Sequence, residues 1–176
     1  LVISIKYIDR FGFDRKFHEL SNVDLSKAIE FSSFDNKFKG LKWISPSFKD
    51  PKEEISILKN MRIRLQKNMD KNKMLLTEYN FFSLLLNKKL YGVSRTYDKI
   101  SYPHRNTKYY EVYKLFFKNK IIDNEIKEIF ILDSAKITQR RLDIIVFNFV
   151  PEECFNKTYI NSFSVKLDIQ NCEFLK

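Results

Sequence analysis

The chain has 176 residues with 17 Phe and 9 Tyr, enough length and apolar content for one domain with a buried core, which excludes a disordered tail or linker. Lys and Arg outnumber Asp and Glu by 32 to 22, a formal charge of +10, but the lysines are spread along the whole chain. Dispersed charge of this kind reads as solvated surface and argues against a focused nucleic-acid-binding face.

No apolar run reaches the ~18 residues of a membrane span, and the opening "LVISIKYI" is too short for a span or a secretory leader. The chain opens at Leu1, which fits a processed protein or a piece of a longer one. Cys154 and Cys172 lie too far apart for a CxxC motif, and they leave open either one disulfide or two buried thiols.

Residues 1–8 are β-branched and loosely alternating, so they read as a strand. Residues 9–45 are irregular, with extended pieces at "RKFHEL" and "GLKWISP" and with Trp43 expected on the main core. Asp50, Pro51 and Glu53 then spell an N-cap, a proline at the first helical position and an acid three residues after the cap. Ile55, Leu58, Met61, Leu65 and Met69 follow at helical spacing. "KMLLTEY" suits a buried strand, "NFFSLLLNKK" a buried helix, and "LYGV" a short extended piece.

After a polar connector, the spacing predicts a helix over 108–122, capped by Asn106 or Thr107. Tyr109, Val112, Tyr113, Phe116 and Phe117 would form its core face. "EIKEIFILD" has the near-continuous apolar character of an interior parallel strand. "ITQRRLDIIVFNF" fits strand or helix, and a helix is favoured because a crossover between parallel strands needs one; Pro151 ends it. "SFSVKLDI" alternates as a final strand with one exposed face. The order predicts an α/β fold, a small, mostly parallel sheet flanked by helices in a Rossmann-like three-layer arrangement. Residues 1–50 would be an irregular extension packed on the α/β domain of residues 51–176.

Chemistry-bearing motifs are scarce. Three glycines leave no GxGxxG, P-loop or GxSxG pattern, and two histidines, His18 and His104, exclude a multi-histidine metal centre. No cofactor is implied. Open parallel sheets bind ligands at the carboxyl ends of their strands, which here carry Thr77, Glu78 and Asp133. Two carboxylates there can hold a cation or act as acid and base; equally, they can cap the helices that follow. The 95–107 connector, "RTYDKISYPHRNT", enters a helix N-terminus, where anions are favoured. Arg95 and Arg105 suit a phosphate or carboxylate, Tyr97 and Tyr102 a sugar ring, and His104 adds an imidazole beside them. The competing reading is that these long side chains cover apolar surface.

The motifs Thr77 with Tyr79, Ser94-Arg95-Thr96-Tyr97, Ser101-Tyr102-Pro103 and Asn106 with Lys108-Tyr109-Tyr110 resemble the soluble C-terminal region of polytopic bacterial membrane proteins of the GT-C glycosyltransferase type. The resemblance covers residues 16–133. It departs at Asp98-Lys99-Ile100, where members often have Asp-Gly. It implies a non-catalytic, extracytoplasmic (periplasmic) accessory domain whose partners are the rest of a membrane protein and a glycan or lipid-linked sugar. Two alternatives stand beside it: a free-standing, cytoplasmic transferase or hydrolase using Glu78, Arg95, His104 and Asp133 on a phosphorylated sugar or nucleotide, and a basic nucleic-acid-binding module.

Overall fold

The computed structural model describes residue 20 and residues 22–93 and 102–176. The strand expected over residues 1–8 and nearly all of the "RKFHEL" piece lie outside the described residues. The chain divides into two compact units, residues 1–56 and 57–176.

In the first unit, β1 (Ile29–Glu30) and β2 (Lys42–Trp43) pair antiparallel, Ile29 opposite Trp43. Two residues per strand give little ladder energy, so aromatic packing holds the hairpin. The Phe31 ring lies 4.4 Å from Trp43, 4.7 Å from Phe38 and 5.2 Å from Phe34, centroid to centroid. The Trp43 indole N–H donates at 2.9 Å and the Ser45 hydroxyl at 2.8 Å to the buried carboxylate of Glu54.

Helix α1 (Pro51–Gln66) begins as its sequence dictates: the Asp50 carboxylate accepts from the Lys52 N–H at 2.9 Å, and Pro51 takes the first position. Ile55, Leu58, Met61 and Leu65 are buried, whereas Met69 lies past the helix end and is exposed.

The second unit is built on a four-stranded sheet of β3 (Asn72–Thr77), β4 (Ile126–Leu132), β5 (Phe155–Asn161) and β6 (Ser164–Ile169), in the order β3-β4-β6-β5. β3 and β4 are parallel neighbours, as their buried patterns require, but β4–β6 and β5–β6 are antiparallel. The sheet is therefore mixed rather than mostly parallel. The cause is a hairpin that the sequence reading lacks. No local pattern marks β5 as a strand, and its turn is closed by the Asn161 side chain, which accepts from Phe163 N–H at 2.8 Å and from the Ser164 hydroxyl at 2.9 Å. A turn this short can join only antiparallel strands.

Two antiparallel steps make β5 point the same way as β4, so the β4–β5 connection still needs a helical crossover. It is supplied by α4 (Gln139–Leu142), which continues as a π-helical turn over Asp143–Phe147. Helix α2 (Phe82–Leu86) is shorter than "NFFSLLLNKK" suggests, because Asn87 turns left-handed at φ 48° and Lys88 N–H closes onto the Ser83 carbonyl. Tyr91 then pairs along the outer side of β3.

Helix α3 (Tyr110–Asp123) buries Tyr110, Phe117 and Ile121, with Tyr113 half-buried. The expected core face is rotated: Tyr109, Val112 and Phe116 point outward. Nor do Asn106 or Thr107 cap it; Tyr109 holds the cap position without a side-chain bond. The buried row meets one sheet face, where Met74, Leu76, Ile129, Ile131, Val165 and Leu167 join Ile145 and Phe149 in one core.

The opposite face carries charge. Lys73 and its ladder partner Glu128 are both buried. The Lys73 amine donates to the backbone carbonyls of Leu65, at 2.7 Å, and Lys67, and lies 3.7 Å from the Glu128 carboxylate. Glu128 also faces Lys71 at 3.5 Å, Lys166 at 3.9 Å and the Asn68 amide at 3.2 Å. Burial pushes the Lys73 pKa below its ordinary value, and Glu128 opposes that shift. Cys154 and Cys172 form a disulfide with Cα atoms 5.2 Å apart, tying the C-terminal tail to the start of β5.

Removing one partner of a buried pair strands the other, so Lys73→Ala is expected to cost about 3–5 kcal/mol in urea unfolding, with much of that recovered in Lys73→Met/Glu128→Met. A loss no larger than that for an exposed lysine would contradict the buried pairing. Reducing the disulfide, which closes a short loop, should lower stability by about 3 kcal/mol, read as a lower midpoint in reductant; an unchanged midpoint would argue against the cross-link.

Candidate functional site

Parallel pairing brings the exits of β3 and β4 together, with Thr77 opposite Leu132, so Thr77, Glu78 and Asp133 share one rim as expected. The Thr77 hydroxyl accepts from Tyr79 N–H at 3.2 Å, and Glu78 is exposed. Asp133 is buried, one oxygen accepting from Ala135 N–H at 3.0 Å and the other from Arg141 Nε at 3.1 Å and a terminal guanidinium nitrogen at 3.0 Å. Its backbone N–H donates to the Phe163 carbonyl at 3.0 Å. A carboxylate so engaged anchors Arg141 of α4 and the turn at Ala135, while the backbone N–H holds the hairpin tip, and the group is poorly placed to move protons.

The connector is placed differently. Arg95 and Tyr97 lie outside the described residues. Tyr102 is buried, its ring 6.1 Å from both Tyr113 and Phe149, so it serves the core rather than an open stacking platform. His104 is exposed, and its carbonyl closes a turn by accepting from the Thr107 N–H at 2.9 Å and hydroxyl at 2.8 Å. Arg105 donates from Nε to the Asn148 side chain at 3.2 Å, and the Tyr110 hydroxyl donates to the Asn148 carbonyl.

Arg105 thereby borders a cleft of about 680 Å³ between α3 and the π-helical turn; Phe147, Asn148 and Phe149 line it, Lys114 and Phe174 flank it, and Asp143, Glu152 and Glu153 supply carboxylates. Thr77, Glu78 and Asp133 do not line it. Two of these carboxylates are oriented by one glutamine: the Gln139 amide donates to Asp143 at 3.0 Å and to Glu152 at 3.1 Å. Lys157 completes the network, donating to Glu152 at 2.6 Å and to the Gln139 oxygen at 2.8 Å; the bond to Glu152 holds its pKa above the ordinary value. Fixed carboxylates, an amide, a guanidinium and half-buried rings offer hydrogen bonds and apolar contact together. Among the described residues, no cluster of three or more His, Cys, Asp or Glu is arranged to hold a metal ion.

Sequence reasoning reached Arg105 but missed Gln139, Asp143, Asn148, Glu152 and Lys157. They are ordinary polar residues locally, and only the crossover and hairpin assemble them. The one signal was the acid–acid pair after Pro151 at the end of a helical segment.

Beneath the cleft, burial pushes the Tyr113 hydroxyl from 10.0 up to about 12. The folded chain then keeps a proton that the unfolded chain loses, so this residue's contribution to stability falls as pH rises from 10.0 toward about 12. Tyr113→Phe should flatten that part of an alkaline unfolding series; an unchanged slope would count against the buried placement.

Comparison with protein families, curated proteins and solved structures finds no match to the chain.

Proposed function

We propose that the chain is a non-catalytic accessory domain of a membrane-bound glycosyltransferase, and that it holds a sugar-containing acceptor in the cleft beside Arg105. The observation that carries this reading is the pairing of Asp143 and Glu152 through Gln139 next to the rings of Phe147 and Phe174. Sugars present hydroxyls at their edges and C–H groups on their faces, so carboxylates and amides beside aromatic surface answer both. Arg105 and Lys114 add a place for an acidic substituent. The resemblance at Ser94-Arg95-Thr96-Tyr97 and Ser101-Tyr102-Pro103 supports the same assignment, with the reaction itself performed elsewhere in the parent protein. The engagement of Asp133 by Arg141 supports a structural rather than a chemical role for that carboxylate, which leaves recognition to the cleft.

Calorimetric titration with neutral and acidic bacterial oligosaccharides tests the reading. Asp143→Asn and Arg105→Gln should each weaken binding about tenfold, the worth of one charge-assisted hydrogen bond, while Glu78→Gln at the sheet rim changes nothing. Absence of oligosaccharide binding, or sensitivity only to Glu78, would reject it.

A further inference from the structure

Helix α3 is apolar on more of its circumference than the core uses. Tyr110, Phe117 and Ile121 face inward. On the other side, Tyr109, Val112 and Leu115 are 62%, 69% and 58% exposed, with Phe116 and Ile122 partly so. Five large apolar side chains on one helix in water are costly unless a partner covers them. At 100° per residue, Val112, Leu115, Phe116 and Ile122 fall on the arc opposite the buried row together with Asn119 and the terminal Asp123, and Lys118 and Lys120 fall on its two shoulders.

The lysines are arranged around this face. Lys108 Nζ lies 4.7 Å from the Tyr109 ring centroid and Lys120 Nζ 5.5 Å from that of Phe116, so their stems run beside the apolar stripe with the amines at its border. Lys114 and Lys118 stand over Phe174 on the flank. From Lys108 to Asp123, four lysines oppose Glu111 and Asp123, and the whole chain carries +10. An apolar stripe shouldered by lysines matches a bilayer surface with anionic headgroups: the stripe enters the acyl boundary, and the amines rise to the phosphates. No helix among the described residues is long and apolar enough to cross a membrane, so the contact would be an interfacial one.

We infer that the outward face of α3, centred on Val112 and Leu115, is a docking surface for an anionic phospholipid bilayer. It uses a different side of α3 from the cleft and does not depend on a sugar being bound.

Vesicle flotation of the full 176-residue chain tests this. The chain should float with vesicles of phosphatidylcholine and phosphatidylglycerol, less with phosphatidylcholine alone, and less as salt rises. Val112→Ser/Leu115→Ser should lower partitioning at least ~tenfold without changing the thermal midpoint, since both residues are exposed. Lys118→Gln/Lys120→Gln should remove the preference for the anionic lipid. Leu84→Ser, an exposed apolar residue on α2, should leave binding intact. The proposal is overturned if the chain ignores both vesicles or if the Val112/Leu115 variant floats like wild type. It is equally overturned if sedimentation shows that those substitutions dissolve a self-associated dimer that never binds lipid.

Discussion

Strand β4 is the constraint on which the second unit depends. It is hydrogen-bonded along both edges, to β3 in parallel and to β6 antiparallel. A parallel neighbour forces a long connection, and residues 78–125 supply it with α2, the connector and α3. An antiparallel neighbour permits a hairpin, and β6 arrives by one, inserted between β4 and β5. Since β5 shares the direction of β4, the chain must return across the sheet before the hairpin begins. That return is α4 with its π-helical turn, and the cleft lies where it runs beside α3. The position of Asp143, Asn148 and Glu152 is a consequence of strand order.

Charge on the covered face fixes the same arrangement from beneath. Lys73 and Glu128 are opposite each other in the parallel ladder, and the amine also satisfies carbonyls at the end of α1. A one-residue slip of β3 would turn Lys73 into the apolar cluster around Met74 and Leu76 and leave Glu128 without its ladder partner. The pair stabilises the native register less through its own attraction than through the cost of every alternative. Asp133 acts similarly at the strand exit, joining β4, α4 and the hairpin tip through three elements' donors and acceptors.

What could be read from the sequence was whatever a local pattern determines. The Asp50–Pro51 start of α1, the apolar runs of β3 and β4, the alternation of β6 and the helical crossover at 137–149 all appear where the residues place them. The failures have physical reasons. β5 has an aromatic and β-branched composition and an Asn161 turn, but it is half-exposed and its apolar residues are sparse. Helix α3 offers two apolar rows, Tyr109/Val112/Phe116 and Tyr110/Phe117/Ile121, and periodicity cannot choose between them; packing against the sheet can. The pairing of Cys154 with Cys172 required knowing that the tail returns to β5. The rim of Thr77, Glu78 and Asp133 was legible because parallel strands end together. The commitment of Asp133 to Arg141 was not, nor was the cleft, whose polar groups come from four segments.

Residue-resolved amide chemical-shift mapping separates the proposed recognition at the crossover cleft from recognition at the strand exits. On titration with bacterial oligosaccharides, the amides of Arg105, Asp143, Asn148 and Glu152 should shift together with one saturation curve, while those of Thr77, Glu78 and Asp133 stay still. Shifts confined to the strand exits, or none at either place, would contradict the assignment of the cleft.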